Sequence, residues 1–347
     1  MKLLSPVSDN IYPVTKAYAL KGSLLPQATL ESLSESKDLG DLITRLKATA
    51  YADAVSKIVP PYGAYKIELA AKEHVSTLHY DFMKVYASTG ILAAYFMKYV
   101  VGDLKTILKG KAIGRSYEEI QQYLDMHAEE LIGRRDLVVR ALAAANLEEA
   151  VNLLKGSELS EVVQDAVKTY KSTQKLDVFD VLLDRAIYQG ILDASAKKLK
   201  PLISVDIDSY NVLAVLRAKS WEVPPSQIKS LIVEPTFDVS KEVLESMVAG
   251  ASVAEAAKML SSTKYRRLVQ QIGGTDAAII STLEEAFKRI GYERAIYPFL
   301  WDSFTEGVIL GLIRLKELES RNVSAIAFGI EHSLGSKAIM QKLILAK

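Results

Sequence analysis

Asp103 to Lys111 reads DLKTILKGK and Asn211 to Lys219 reads NVLAVLRAK, and at one constant offset the two stretches register position by position. Leu104 falls on Val212, Ile107 on Val215, Leu108 on Leu216, Lys109 on Arg217, Gly110 on Ala218 and Lys111 on Lys219. A second pattern recurs at nearly the same spacing. Leu39, Leu42, Leu46, Thr49 and Tyr51 match Leu147, Ala150, Leu154, Ser157 and Leu159 at that same offset, then Val253, Ala256, Leu260, Thr263 and Tyr265 after a slightly shorter one. One-face apolar spacing is common to all surface helices, but two patterns sharing one offset are hard to obtain by accident. The third copy of the first pattern falls at Asn322 to Ile330, NVSAIAFGI. It keeps Asn-Val and Ile326, lacks the basic pair, and stands a little farther from its partner pattern than the other two copies do from theirs. We read three related units of about 107 residues, too long for solenoid repeats and long enough to bury small cores. Their bounds are residues 1–120, 121–228 and 229–347.

Helical periodicity dominates the rest. Phe299 to Glu319 reads as one long surface-packed helix with Leu300, Phe304, Val308, Leu312, Leu315 and Leu318 on its apolar stripe. Its charged residues, Glu306, Arg314, Lys316, Glu317 and Glu319, are expected in water. Ser281 with Glu284, or Thr282 with Glu285, reads as a capping box opening a helix. Val85 to Met97, thirteen uncharged residues, reads as a buried helix too short for a bilayer span of about 20. PLISVDIDSY and LIVEP are short β-branched runs beside prolines, either strands or loops tethered against helices. They are outvoted by long helical patterns broken at glycines and prolines, so the expected class is all-α with many elements.

Little in the sequence speaks for chemistry. With 43 basic and 42 acidic side chains there is no overall field to hold a polyanion, so nucleic acid is not expected as a partner. The absence of cysteine excludes disulfides and thiolate chemistry and favours an intracellular location, and the first residues do not form an export signal. The four histidines, His74, His79, His127 and His332, form no metal-binding pair. GIEHSLGSK, Gly329 to Lys337, has the wrong spacing for a phosphate loop and Ser336 where the lysine should be. Asp206 and Asp208 in DID point apart on a helix, and capping a helix start is the simpler account. No catalytic, cofactor-binding or metal site is expected. Seventeen tyrosines against eight phenylalanines suit half-wet protein contacts, in PPYGAY, HYDFMKVY and GYERAIYPFLW, although structural tyrosines on helix faces account for them equally well.

Taken together in this order, AYALKGSLL at Ala17 to Leu25, DLGDLITRLKATAYADAV, DLKTILKGKAIG followed by SYEEI, LLDRAIYQGIL at Leu182 to Leu192, DIDSYNVLAVLRAK and LKELESRNVSAIAFGIE resemble the C-subunit family of archaeal and bacterial A/V-type ATP synthases. The d subunit of the vacuolar proton pump belongs to the same family. The resemblance implies a funnel-like all-helical protein of three similar units around a pseudo-threefold axis, without a catalytic centre. It implies a central-stalk adaptor, one copy per complex, between rotor shaft subunits of D and F type and the membrane proteolipid ring. The place is the cytoplasmic face of the membrane, reached through protein partners. An all-helical repeat scaffold unrelated to the ATPase is the alternative.

The protein-interface candidates are Lys109, Lys111, Arg115, Arg217, Lys219, Arg266, Arg267 and Arg321. Asp103 and Lys109 stand where the resemblance favours Asn and Arg, and Lys does not replace Arg in a bidentate contact. The repeated basic residues either cover core with their stems while their heads satisfy helix ends, or reach toward a shaft. The structural role is favoured, because an asymmetric shaft cannot touch every unit in the same way.

Overall fold

The computed structural model describes residues 6–86, 90–270, 272–301 and 305–345. Among them there is no strand, and the chain is all-α. The first helices are α1 (Pro6–Lys21), α2 (Gln27–Ser34), α3 (Leu39–Leu46), α4 (Ala52–Ser56), α5 (Ala64–Val85), α6 (Gly90–Ala112) and α7 (Tyr117–Gln121). Next come α8 (His127–Leu131), α9 (Arg135–Ala143), α10 (Leu147–Leu153), α11 (Ser160–Thr173), α12 (Asp177–Ala194), α13 (Lys200–Ser220) and α14 (Pro225–Ser230). The last are α15 (Lys241–Ala249), α16 (Val253–Lys258), α17 (Arg266–Val269), α18 (Asp276–Trp301), α19 (Glu306–Glu331) and α20 (Ser336–Met340).

The repeated second pattern is a capped helix start in all three places. Asp38, Asn146 and Ser252 are extended N-cap residues whose side chains accept the N–H of Asp41, Glu149 and Glu255, opening α3, α10 and α16. The carboxylate one turn on reaches back each time: Asp41 accepts from Lys37 N, Glu149 from Ala145 N and Glu255 from Ala251 N. The cap thereby satisfies an orphan amide of the first turn and fixes the chain that enters it.

Two compact bodies form. The first takes the described residues up to Tyr99, Tyr123–Arg134 and those from Tyr292 onward; the second takes Val100–Gln122 and Arg135–Gly291. Each draws on more than one of the three units expected from the sequence. In the first body α19 is the central helix, packed by α5, α1, α2, α3 and α20. Its core joins Leu30, Leu42, Leu46, Tyr51 and Ile67 from the start of the chain to Val323, Ile326, Ile339 and Leu343 from its end. In the second, α13 is buried along nearly its whole length against α12, α14, α15 and α16.

Four sequence expectations are overturned. Phe299 to Glu319 is not one surface helix: α18 ends at Trp301, α19 begins at Glu306, and Glu306, Arg314, Lys316 and Glu319 are buried. Phe304, expected on its stripe, lies outside the described residues. The apolar pattern runs on across the break because α19 has neighbours on most sides, and a helix enclosed that way has no single phase. Val85 to Met97 is divided between the end of α5 and the start of α6, with residues 87–89 of it outside the described residues. Ser281 to Glu285 lies inside α18, whose first turn receives Thr275 Oγ1 on Ala278 N instead. PLISVDIDSY belongs to α13, where Asp206 and Asp208 are mid-helix residues and cap nothing at its start.

Candidate partner-binding site

The long helices α6, α13 and α19 end in the same way. The N–H groups of Arg115, Val223 and Leu334 donate to the carbonyls of Gly110, Ala218 and Gly329 at 2.9, 3.0 and 2.8 Å. Those of Gly114, Glu222 and Ser333 donate to Lys111, Lys219 and Ile330 at 3.2, 2.9 and 2.9 Å. Gly114, Glu222 and Ser333 have φ of 75°, 60° and 56°, the left-handed residue that closes a Schellman motif. A short helix follows at once, α7, α14 or α20, and turns Ile120, Ile228 or Ile339 back into the core. The approach is close. A Cβ at Gly110 would lie 2.6 Å from Ile120 Cγ1, and one at Gly329 2.5 Å from Ile339 Cγ1.

Two of these ends carry a side-chain clamp. Asn211 Nδ2 donates to Val233 O at 3.0 Å while Val233 N donates to Asn211 Oδ1 at 2.8 Å. Asn322 treats Ile344 identically, at 2.8 and 2.9 Å. Each partner lies 22 residues after its asparagine. The third copy of the pattern, which lost its basic pair, therefore keeps the buried asparagine and its bonds.

A turn before each asparagine stands a buried carboxylate. Asp208 accepts from Val239 N at 3.3 Å, Asp238 N at 3.1 Å and the Tyr265 hydroxyl at 2.8 Å. Glu319, at the equivalent place one copy later, accepts from Leu25 N, the Tyr51 hydroxyl at 3.1 Å and Lys316 Nζ at 2.7 Å. Burial pushes the Asp208 carboxyl up to about 6 against the opposing pull of its three donors. Burial, with Glu319 beside it, raises the Tyr51 hydroxyl well above its usual value, so it remains a donor. None of this was readable from the sequence, because each carboxylate's hydroxyl partner is 57 or 268 residues away.

The basic candidates divide into two groups. Lys219 donates to Val248 O at 2.9 Å and to Gly250 O, satisfying carbonyls at the end of α15. Arg217 pairs with Glu284 at 2.9 Å, Lys109 pairs with Asp180 at 2.5 Å, and Lys111 is buried with its ammonium pKa lowered by that burial. Arg115, Arg266, Arg267 and Arg321 are exposed. The structure does not gather the eight into one patch: Arg321 belongs to the first body and the other seven to the second.

The tyrosine excess has an internal use. Tyr18, Tyr65, Tyr99, Tyr170 and Tyr210 donate their hydroxyls to Phe299 O, Tyr123 O, Glu317, Ala112 O and Val181 O respectively. Exposed large apolar side chains include Tyr62 of PPYGAY and Tyr297, Leu300 and Trp301 of GYERAIYPFLW, two of the stretches expected at protein contacts. His79 is fully buried; its Nε2 donates to Leu92 O and burial lowers its pKa to about 3, so it is neutral. Among the described residues no cluster of histidine and carboxylate side chains could hold a metal ion, and no helix is long and apolar enough to cross a membrane.

A family model described as ATP synthase (C/AC39) subunit matches residues 13–342. The C subunit of the A-type ATP synthase of Methanosarcina mazei is 25% identical over 97% of this chain and 93% of its own length. Its counterpart in Pyrococcus furiosus is 25% identical over 91% of this chain and 85% of its own. For that of Haloferax volcanii the identity is 28%, over 74% of each.

Proposed function

The chain belongs to the ATP synthase (C/AC39) subunit family, a family of structural rather than catalytic subunits, and from that premise we propose that it is the central-stalk adaptor of an A/V-type ATP synthase. In this reading one surface receives the D- and F-type shaft subunits and another rests on the proteolipid ring at the cytoplasmic face. One copy serves each complex, and torque passes through it between ATP turnover and ion translocation. Attachment to the membrane is through these partners.

The match along residues 13–342 carries the proposal. The physical character of the chain supports it. An adaptor under torque has to resist shear, and packed interiors deform little. The ends of α6, α13 and α19 are each fixed by a Schellman turn, two of them also by an asparagine clamp and a buried carboxylate. The three-unit division at residues 1–120, 121–228 and 229–347, and its pseudo-threefold arrangement, are part of the same proposal. Three similar helix ends, at Gly114, Glu222 and Ser333, recur at nearly equal spacing along the chain and support them.

The test is a reconstituted complex with and without this chain, in which ATP hydrolysis and ion pumping are measured together. The adaptor role predicts that omission abolishes pumping while the catalytic head still hydrolyses ATP. Full coupling in its absence would refute the role and leave a helical scaffold unrelated to torque transfer.

A further inference from the structure

The three long repeat helices are not held alike. Asp208 and Asn211 tie α13 to backbone groups around it, and Glu319 and Asn322 do the same for α19. At the equivalent places α6 has Val100 and Asp103. Valine brings no polar group, and a carboxylate has no N–H for the carbonyl that the asparagine fork serves. Beside Asp103 stands Gly102, where the other copies have Tyr210 and Arg321. Close packing does not require that glycine. A Cβ at Gly102 would meet nothing within 4 Å, unlike one at Gly110, Gly311 or Gly329. Its effect is on the backbone, since glycine weakens a helix interior relative to alanine. Thr106 Oγ1 also donates to Gly102 O at 3.1 Å, a back-bond that competes with the helical N–H and favours bending.

The weakened stretch coincides with a passage between bodies. Helix α6 leaves the first body for the second between Tyr99 and Val100. Helix α18 makes the reverse passage between Gly291 and Tyr292, again at a glycine inside a helix. The other two passages, between Gln122 and Tyr123 and between Arg134 and Arg135, fall at helix ends, after α7 and before α9. We propose that residues 100–103 of α6, together with Gly291 of α18, form a hinge about which the two bodies turn. Val100, Val101 and Leu104 are buried, but apolar contacts have no fixed direction and tolerate small rotations, whereas a hydrogen-bonded fork or carboxylate holds one geometry. Stiffness belongs to each body, through α19 in the first and α13 in the second, and compliance to the joint. The inference rests on the three-copy reading and the division into two bodies, and is independent of the stalk role.

The absence of cysteine permits site-specific spin labels in the full chain. Ser56 on α4 and Ser246 on α15 are exposed and lie one in each body, while Ser230 on α14 and Ser246 share the second. The distribution of distances between labels at S56C/S246C should be broader than that at S230C/S246C. G102A should narrow the first distribution toward the second, and should slow amide exchange at residues 103–106 by about fivefold. G190A is the control, because Gly190 lies in α12 within the second body and its Cβ would also meet nothing within 4 Å. It should slow exchange in α12 and leave the S56C/S246C distribution at the parent width. A distribution between bodies no broader than that within the second body, one that G102A leaves unchanged, or one that G190A narrows equally, would overturn the proposal. So would the failure of G102A to fold, because a Cβ at that position would then meet packing that a hinge residue lacks.

Discussion

Asn211 and Asn322 each sit on a long helix where one amide reaches both backbone groups of a residue 22 positions later. Replacing either by alanine leaves a buried N–H and a buried C=O without partners, which costs about 2–4 kcal/mol in the body concerned. N211A should strip amide-exchange protection from Val233, and N322A from Ile344, each leaving the other site unchanged. Asp208 gives a pH dependence. Its folded-state pKa of about 6 lies above the ordinary aspartate value of 3.8, so the folded protein holds that proton more tightly. The stability this contributes is present below about pH 4 and lost as pH rises through 6, amounting to at most about 3 kcal/mol. D208N should show a smaller fall than the parent in urea unfolding between pH 4 and 7; an identical fall in both would exclude Asp208 as its source. The sequence revealed that Asn-Val recurs, but weighted the basic pair more heavily. The pair is absent from the third copy, where Ile330 replaces Lys219, while the asparagine persists because its amide offers a donor and an acceptor in one fork. Asp208 was misread as a cap because its distant donors leave no local signal.

The three helix ends differ in their suitability for the same turn. Gly114 takes the left-handed position without strain, whereas Glu222 and Ser333 hold φ of 60° and 56° with a Cβ in place. E222G and S333G should therefore each raise stability, by about 1 kcal/mol, seen as a higher urea midpoint with an unchanged slope. The opposite is expected inside α19. Gly329→Ala puts a methyl group 2.5 Å from Ile339 Cγ1 and should destabilise by about 1–3 kcal/mol, while Gly190→Ala in α12 meets nothing within 4 Å and should be neutral or stabilising. The breaks expected at glycines and prolines were legible in part: Gly133 and Pro224 stand between helices, whereas Gly102 and Gly291 lie inside α6 and α18. The separation of α18 from α19 was not legible, since Pro298 lies within α18 and the apolar pattern runs on past Trp301. A buried helix carries too little polar contrast for its ends to show.

At the scale of the whole molecule, the basic candidates separate roles that composition leaves mixed. K219E loses the bonds to Val248 O and Gly250 O at the end of α15 and should lower stability before it affects assembly. R266E/R267E alters only exposed side chains and should leave unfolding unchanged while weakening assembly with the rotor, measured by co-purification of shaft and ring subunits. The all-α class follows from periodicity, and the family from an ordered set of motifs covering the chain. The pairing of segments across copies was hidden, because a repeat read along the sequence gives the copies but not which copy packs on which. The central claim, that this subunit joins shaft to ring, is tested most directly by an electron-microscopy map of the intact complex. The account predicts one copy of this all-helical chain between the lower end of the shaft and the cytoplasmic mouth of the proteolipid ring, in contact with both. A map in which shaft and ring meet without it, or in which it lies off the rotor, would contradict the account.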